Sequence, residues 1–405
     1  MIFFKREEEP EFSEEDLEFL GRFNKFLSRE NMKRLEELKL SQTISFRDEK
    51  IVMKLFGVKI IPQIKTLDKE MKGFVDECNA RVKREIQNIL FERFAEEAHE
   101  KIPDLIAPHI IGYEEVKGAL ALQLFAKEPV HILLLGDPGT GKTDLIREAT
   151  ELAPLSTFGL GSGTTGVGLV GTYKGFEFVP GLLPQAHNGI CALDELNLLK
   201  EESRAGLYNA MEKGFVTYDK AGVHQRMESH VSIVATANPK GDSFESKDLK
   251  EIKKQVPFDP ALMTRFHVVF LMNKPSQLQF ENITKAITSN EGDEITPGDK
   301  QFIQHYITLA KKKTVHFPKE YETDVVTYIQ QLKQKENMLL TEITPRTVVG
   351  FMNMVKASAR MNLRSRVEKV DIDRVKLIFE HALHIPFENI KSEKTPIRNV
   401  PRGYQ

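Results

Sequence analysis

Gly136-Asp137-Pro138-Gly139-Thr140-Gly141-Lys142-Thr143 follows a largely apolar stretch, Val130 to Leu135, and precedes a helix-compatible segment, Asp144 to Leu152. The run fits G-x-x-x-x-G-K-[ST] in the setting that gives this pattern meaning: a buried strand, a glycine loop, a helix start. Glycines let the backbone turn tightly and aim its N–H groups at phosphate oxygens. The ammonium of Lys142 is suited to neutralise β and γ phosphates, and the Thr143 hydroxyl to complete a Mg²⁺ shell. The loop therefore predicts nucleotide binding, ATP with Mg²⁺, by Gly136, Asp137, Pro138, Gly139, Thr140, Gly141, Lys142 and Thr143.

A second apolar run, Ile190 to Leu193, ends in Asp194-Glu195. Nucleotide hydrolysis needs one carboxylate to hold Mg²⁺ and another to orient the attacking water. Adjacent strand-end residues point in different directions, so Asp194 suits the first role and Glu195 the second. A third run, Val231 to Ala237, ends at Asn238 before Pro239. An amide at the carboxyl end of a strand faces the ligand crevice of a doubly wound sheet and can bond the γ-phosphate or the water. An Asn-Pro turn accounts equally for the pair taken alone. Arg265 lies in Asp259-Pro260-Ala261-Leu262-Met263-Thr264-Arg265-Phe266, just before a fourth apolar run, Val268 to Leu271. Arg346 follows Thr344-Pro345 at a helix start.

These residues need a framework that brings strand ends together. The runs Ile132–Leu135, Ile190–Leu193, Val231–Ala235 and Val268–Leu271 alternate with helix-compatible segments, as in a parallel α/β sheet with crossover helices. We divide the chain into a mostly helical N-terminal α+β region over 1–105, an α/β core over 106–275, a helical domain over 276–390 and a basic tail over 391–405. With 405 residues the chain has room for more than one core. Its 40% hydrophobic and 29% charged content is that of an ordinary globular protein. A net charge of −2 gives no global pull toward nucleic acid, so such binding must come from local patches. Cys78 and Cys191, the only cysteines, cannot build a four-ligand zinc site. No apolar run approaches the roughly 20 residues of a membrane span. Phe3 and Phe4 followed by Glu7, Glu8 and Glu9 do not read as a secretory leader. The expectation is a cytoplasmic protein without a membrane partner, nucleoid-associated in a prokaryotic cell.

The order of these motifs resembles AAA+ ATPases and, within them, the minichromosome maintenance (MCM) helicases. Ile106-Ala107-Pro108-His109-Ile110-Ile111-Gly112 and Lys117-Gly118-Ala119-Leu120-Ala121-Leu122-Gln123-Leu124-Phe125 are similar to that family's I-A-P-x-I-x-G and K-x-A-L-x-L-x-L-F. Arg204, Ala210-Met211-Glu212 and Lys220-Ala221-Gly222-Val223 fall at the spacing of its R-(x)₅-A-M-E and K-A-G-I. The resemblance implies an AAA+ P-loop core with a C-terminal helical lid, ATP hydrolysis at subunit interfaces of a homo-hexameric or mixed ring, and movement on single-stranded DNA in the ring channel. It gives Glu195, Asn238, Arg265 and Arg346 catalytic roles, the arginines acting on a neighbour's nucleotide. It makes Lys220, at a hairpin tip, the DNA contact. Lys174, within Ser162 to Leu183 where the family inserts another hairpin, is the weaker one. The family's S-R-F-D stands here as Thr264-Arg265-Phe266-His267. Family members also carry a larger N-terminal region, usually with a zinc module. Two other readings fit a ring ATPase: a protein remodeller of the MoxR or magnesium-chelatase kind, and an accessory subunit of an MCM ring.

Overall fold

The computed structural model describes residues 90–175, 177–220, 223–241, 243–245, 248–274, 284 and 297–383. The expected strands and helices before residue 90, most of the junction over 276–296, Ala221-Gly222 and the basic tail lie outside the described residues.

Strands β1 (Ile132–Gly136), β2 (Ser156–Leu160), β5 (Ile190–Asp194), β8 (Ser232–Ala237) and β9 (Val268–Met272) form one parallel sheet in the order β2-β5-β8-β1-β9. Every residue of β1, β5 and β8 is buried, which is why these three read as continuous apolar runs rather than alternating ones. β2 was not among the expected strands. Its sequence, Ser-Thr-Phe-Gly-Leu, occupies an edge, is only half buried and carries little apolar signal.

Two hairpins stand outside this sheet: β3 (Gly171–Lys174) with β4 (Glu177–Pro180), and β6 (Phe215–Lys220) with β7 (Val223–Glu228). The first is inserted between short helical turns, Gly166–Val170 and Leu182–Gln185, whose ends are closed by a hydrogen bond from Gly181 N–H to the Val170 carbonyl, 3.1 Å. The tips of Tyr173, Phe178 and Tyr218 meet at ring separations of 5.2–5.8 Å, and the Tyr173 hydroxyl donates to Gln225 Oε1 at 2.6 Å. The two hairpins are thus joined to each other by side chains.

Helix α1 (Glu114–Phe125) packs against α2 (Lys142–Leu152), which covers the sheet, and α3 (Arg204–Lys213) leads into β6. The lid consists of α4 (Pro297–Lys312), α5 (Glu322–Gln334), α6 (Pro345–Met361) and α7 (Lys369–Leu383), with α6 against α1 and α7 against β9. α6 begins with a capping box in which Thr344 and Thr347 bond each other's backbone N–H, and Pro345 fills the first turn, where no N–H is needed. Residues 90–104 are helical, and from Phe94 onward they belong to the compact unit that holds the sheet. Phe94 packs edge-on against Phe302 and Tyr306 of α4, at 5.4 and 5.0 Å. That unit therefore starts about a helix earlier than the boundary at 105. Among the described residues no helix is long and apolar enough to cross a membrane.

The carboxyl end of β1 is tightly confined. A Cβ on Gly136 would lie 2.0 Å from the Met272 carbonyl oxygen of β9, whereas one on Gly163 would meet nothing within 4 Å. Gly136→Ala should lose about 1–3 kcal/mol of unfolding free energy. Gly163→Ala should change it little; chemical denaturation of both variants checks the contrast.

Candidate functional site

The loop from Gly136 to Lys142 leaves β1 and enters α2, with Gly139 and Gly141 both at φ +78°, a conformation that side chains disfavour. Gly141 also needs its missing side chain, because a Cβ would lie 2.6 Å from Ile110 Cδ1. Lys142 is 7 % exposed, and its ammonium donates to the carbonyls of Gly136 (2.9 Å) and Asp137 (2.6 Å) and to Thr140 Oγ1 (3.3 Å). Burial lowers its pKa from an ordinary 10.5 to about 8, against the opposing pull of Asp137, Asp194 and Glu195. The loop's rear is fixed too: Asp137 N–H donates to the Met272 carbonyl, and Asp137 Oδ1 accepts from Phe244 N–H at 2.9 Å.

Asp194, at the end of β5, faces this loop. Thr143 Oγ1 lies 3.0 Å from both of its carboxylate oxygens, and the Thr236 hydroxyl of β8 donates to Oδ1. Thr236 Oγ1 in turn accepts from Glu195 N–H at 2.9 Å. Glu195 is half-buried and left-handed, φ 51°, so the chain turns sharply after Asp194 and the two acids diverge. A hydroxyl and a carboxylate side by side form an oxygen donor set that suits Mg²⁺. Asn238, the residue just past the end of β8, has its N–H held by Asn197 Oδ1 at 3.1 Å.

Arg265 and Arg346 lie elsewhere, near enough for the charge of one to act on the other. Arg265 donates to Glu212 Oε2 at 2.7 Å and to the Ala261 carbonyl, and its guanidinium lies 4.8 Å from the Tyr208 ring centre. Its Nε is buried with no hydrogen-bond partner among the described residues. Burial, then the charge of Arg265, lowers the pKa of Arg346, and Glu212 partly offsets both. The groups whose charges act on Lys142 are Asp137, Asp194 and Glu195, so the two clusters share no member.

The register explains the separation. β1 and β9 run parallel with Ile132 opposite Val268 and Gly136 opposite Met272. The phosphate loop leaves the carboxyl end of this pair, while Arg265 precedes its amino end. Four steps at about 3.3 Å each put roughly 13 Å of strand between them.

Lys220 closes β6 opposite Val223, and Lys174 closes β3 opposite Glu177, so each occupies a hairpin end by register. Their side chains lie outside the described set. Thr236, Asn197, Tyr208 and Glu212 were not singled out as site residues. Glu212 stood within the quoted Ala-Met-Glu motif, and Thr236 is the last polar residue of the buried strand before Asn238.

A five-stranded parallel sheet in this order, with a glycine loop after β1 and paired acids after β5, defines an AAA+ P-loop domain. Residues 85–291 match the MCM P-loop domain and residues 301–383 the MCM AAA-lid domain. The chain belongs to the MCM family. It is 30% identical over 306 residues to DNA replication licensing factor mcm7 of Schizosaccharomyces pombe, covering 68% of this chain and 40% of that one. It is 29% identical over 312 residues to DNA replication licensing factor mcm7-A of Xenopus laevis, covering 70% and 43%. The minichromosome maintenance protein MCM of Saccharolobus solfataricus is 26% identical over 327 residues, covering 75% and 47%. The chain spans less than half the length of these relatives.

Replacing Thr236 by Val leaves Asp194 short of a donor and the Glu195 N–H without its acceptor, at about 1–3 kcal/mol per orphaned group. Urea unfolding should register that loss, and the loss should shrink in an Asp194→Ala background. Equal losses in both backgrounds would show that the hydroxyl does not act through Asp194.

Proposed function

We propose that this chain is an ATP-hydrolysing motor subunit of an MCM-type ring that moves on DNA, with each nucleotide held between two copies. The observation that carries this reading is the placement of the phosphate loop and the arginine pair at opposite ends of β1 and β9. An extended arginine side chain is too short to return along the strand, so Arg265 has use as a catalytic group only on another copy's nucleotide.

In this reading one copy supplies the phosphate loop. Lys142 releases the Gly136 and Asp137 carbonyls and takes phosphate oxygens as its new partners. Thr143 and Asp194 would hold Mg²⁺, which when bound neutralises charge developing on the phosphate oxygens. Glu195 accepts a hydrogen bond from the attacking water and orients it, while Asn238 contacts the γ-phosphate or that water. The second copy inserts Arg265 and Arg346, exchanging the Glu212 partner for negative charge in the transition state. A finger arginine contributes on the order of 10³-fold or more in rate. The two joined hairpins, with Lys220 and Lys174 at their ends, would follow the nucleotide state along a DNA strand, each lysine meeting a backbone phosphate.

Steady-state hydrolysis with and without single-stranded DNA, with Lys142→Ala as the blank, tests this directly. DNA should raise turnover severalfold, the stimulation should vanish in Lys220→Ala, and added salt should weaken it. Hydrolysis indifferent to DNA would contradict the DNA motor and favour a protein-remodelling ATPase.

Lys142 also predicts a proton linkage. Its free-state pKa is about 8, and phosphate oxygens favour the charged form and raise it. Binding therefore takes up a proton above about pH 8, and affinity falls as pH rises through 8. Calorimetry near pH 9 in buffers of different ionisation enthalpy should show this uptake, and Lys142→Ala should lack it.

A further inference from the structure

His267 stands where the family pattern has an acid, two residues after Arg265. The ring is held rigidly. Its Nδ1 accepts from His131 N–H at 2.8 Å, so the tautomer carries its hydrogen on Nε2, and the backbone N–H of His267 donates to the His131 carbonyl at 2.9 Å. It stacks on the His131 ring at 4.9 Å and 23°, and His131 Nδ1 accepts from Ile233 N–H at 3.1 Å. Both rings are buried, and burial followed by the nearby Arg346 charge pushes the His267 pKa down to about 4. The ring is therefore a neutral, fixed plate built into the amino end of the sheet.

Gly350 of α6 rests on this plate. A Cβ there would lie 2.5 Å from both Cβ and Cδ2 of His267 and 2.6 Å from Cγ, inside any tolerable contact. Gly350 comes one turn after Arg346 on the same helix face. A glycine inside a helix costs roughly 1 kcal/mol relative to alanine, so its place here answers to the packing rather than to helix formation. The helix can approach this closely because position 350 has no side chain, and that approach sets how far Arg346 stands from Arg265. A carboxylate at 267 would pair with Arg346 and draw it out of the pair. The neutral imidazole leaves Glu212 as the acid whose charge acts on both arginines.

We propose that His267 and Gly350 form a seat that positions Arg346 beside Arg265, so that one copy presents the two arginines to its neighbour as a preassembled pair. The proposal rests on the reading that this pair acts on another copy's nucleotide. His267 and Gly350 are positioning residues; neither touches the nucleotide.

The test mixes full-length variants and measures ATP turnover, with assembly followed by light scattering. Gly350→Ala alone should assemble and bind nucleotide with KM within about twofold of the unsubstituted chain, while kcat falls at least tenfold. Mixed with Lys142→Ala it should recover activity, because sites that pair its phosphate loop with the other chain's arginines are complete. Mixed with Arg265→Ala it should not recover, because every site then lacks a correct arginine pair. Gly350→Ala combined with His267→Gly in one chain should regain most of kcat, since loss of the ring and of Cβ vacates the space that the methyl needs. Full kcat in Gly350→Ala, or recovery with both partners, would overturn the seat. Failure with both partners, or no rescue by His267→Gly, would reduce it to ordinary packing and overturn it too. Arg346→Ala separates the two layers. If it is inactive while Gly350→Ala is fully active, the seat alone fails; if it is fully active, the reading of Arg346 fails and the seat with it.

Discussion

The Asp194 carboxylate holds the site together. It receives the Thr143 hydroxyl from the helix that follows β1 and the Thr236 hydroxyl from β8, while it sits itself at the end of β5. One buried anion thus ties three strand ends that lie side by side, β5, β8 and β1, into a single cradle. Charge-assisted bonds of this kind are strong, and leaving a member unpaired in a buried setting is costly. The same Thr236 hydroxyl fixes the Glu195 backbone, so Asp194 and Glu195 are positioned by one side chain.

A parallel sheet has two unlike ends, and in this protein a different set of charged side chains gathers at each. The carboxyl ends collect Lys142, Thr143, Asp194, Glu195 and Asn238. The amino end of β9 and the start of the lid helix α6 collect Arg265 and Arg346, with Glu212 as their shared acid. The strand length between these ends cannot be shortened by rotating a side chain. Separation of the two clusters is therefore a property of the sheet itself, and in the proposed reading a closed ring of copies reunites them. The lid matters for the same reason: it carries one arginine of the pair, and its seating on His267 relates that arginine to the other.

Much of this was legible in the residues because the chemistry is local in sequence. The phosphate loop, the Asp194-Glu195 pair and the apolar runs of β1, β5, β8 and β9 each declare themselves within a few positions. The parts that were not legible depend on tertiary neighbours. β2 lies at an edge and is half covered, so Ser156-Thr157-Phe158-Gly159-Leu160 has no apolar run to announce it. Thr236 is one polar residue in a buried strand, and only the adjacency of β5 and β8 turns it into a ligand of Asp194. Tyr208 and Glu212 look like ordinary helix residues until the Arg265 side chain reaches them. The compact unit starts at Phe94 rather than near residue 105, and the packing partners of Phe94 that show this, Phe302 and Tyr306, are two hundred residues away in sequence. His267 was visible as a departure from the family pattern, but its consequence depends on Gly350, which the sequence places in another domain.

The most direct test of the shared site is turnover per subunit as a function of protein concentration, followed alongside assembly by light scattering at saturating ATP and Mg²⁺. If a second copy supplies the arginines, turnover per subunit rises steeply with concentration and levels off as assembly completes. Constant turnover per subunit, down through concentrations at which the protein is fully dissociated, would contradict the account, because a single chain would then complete its own site.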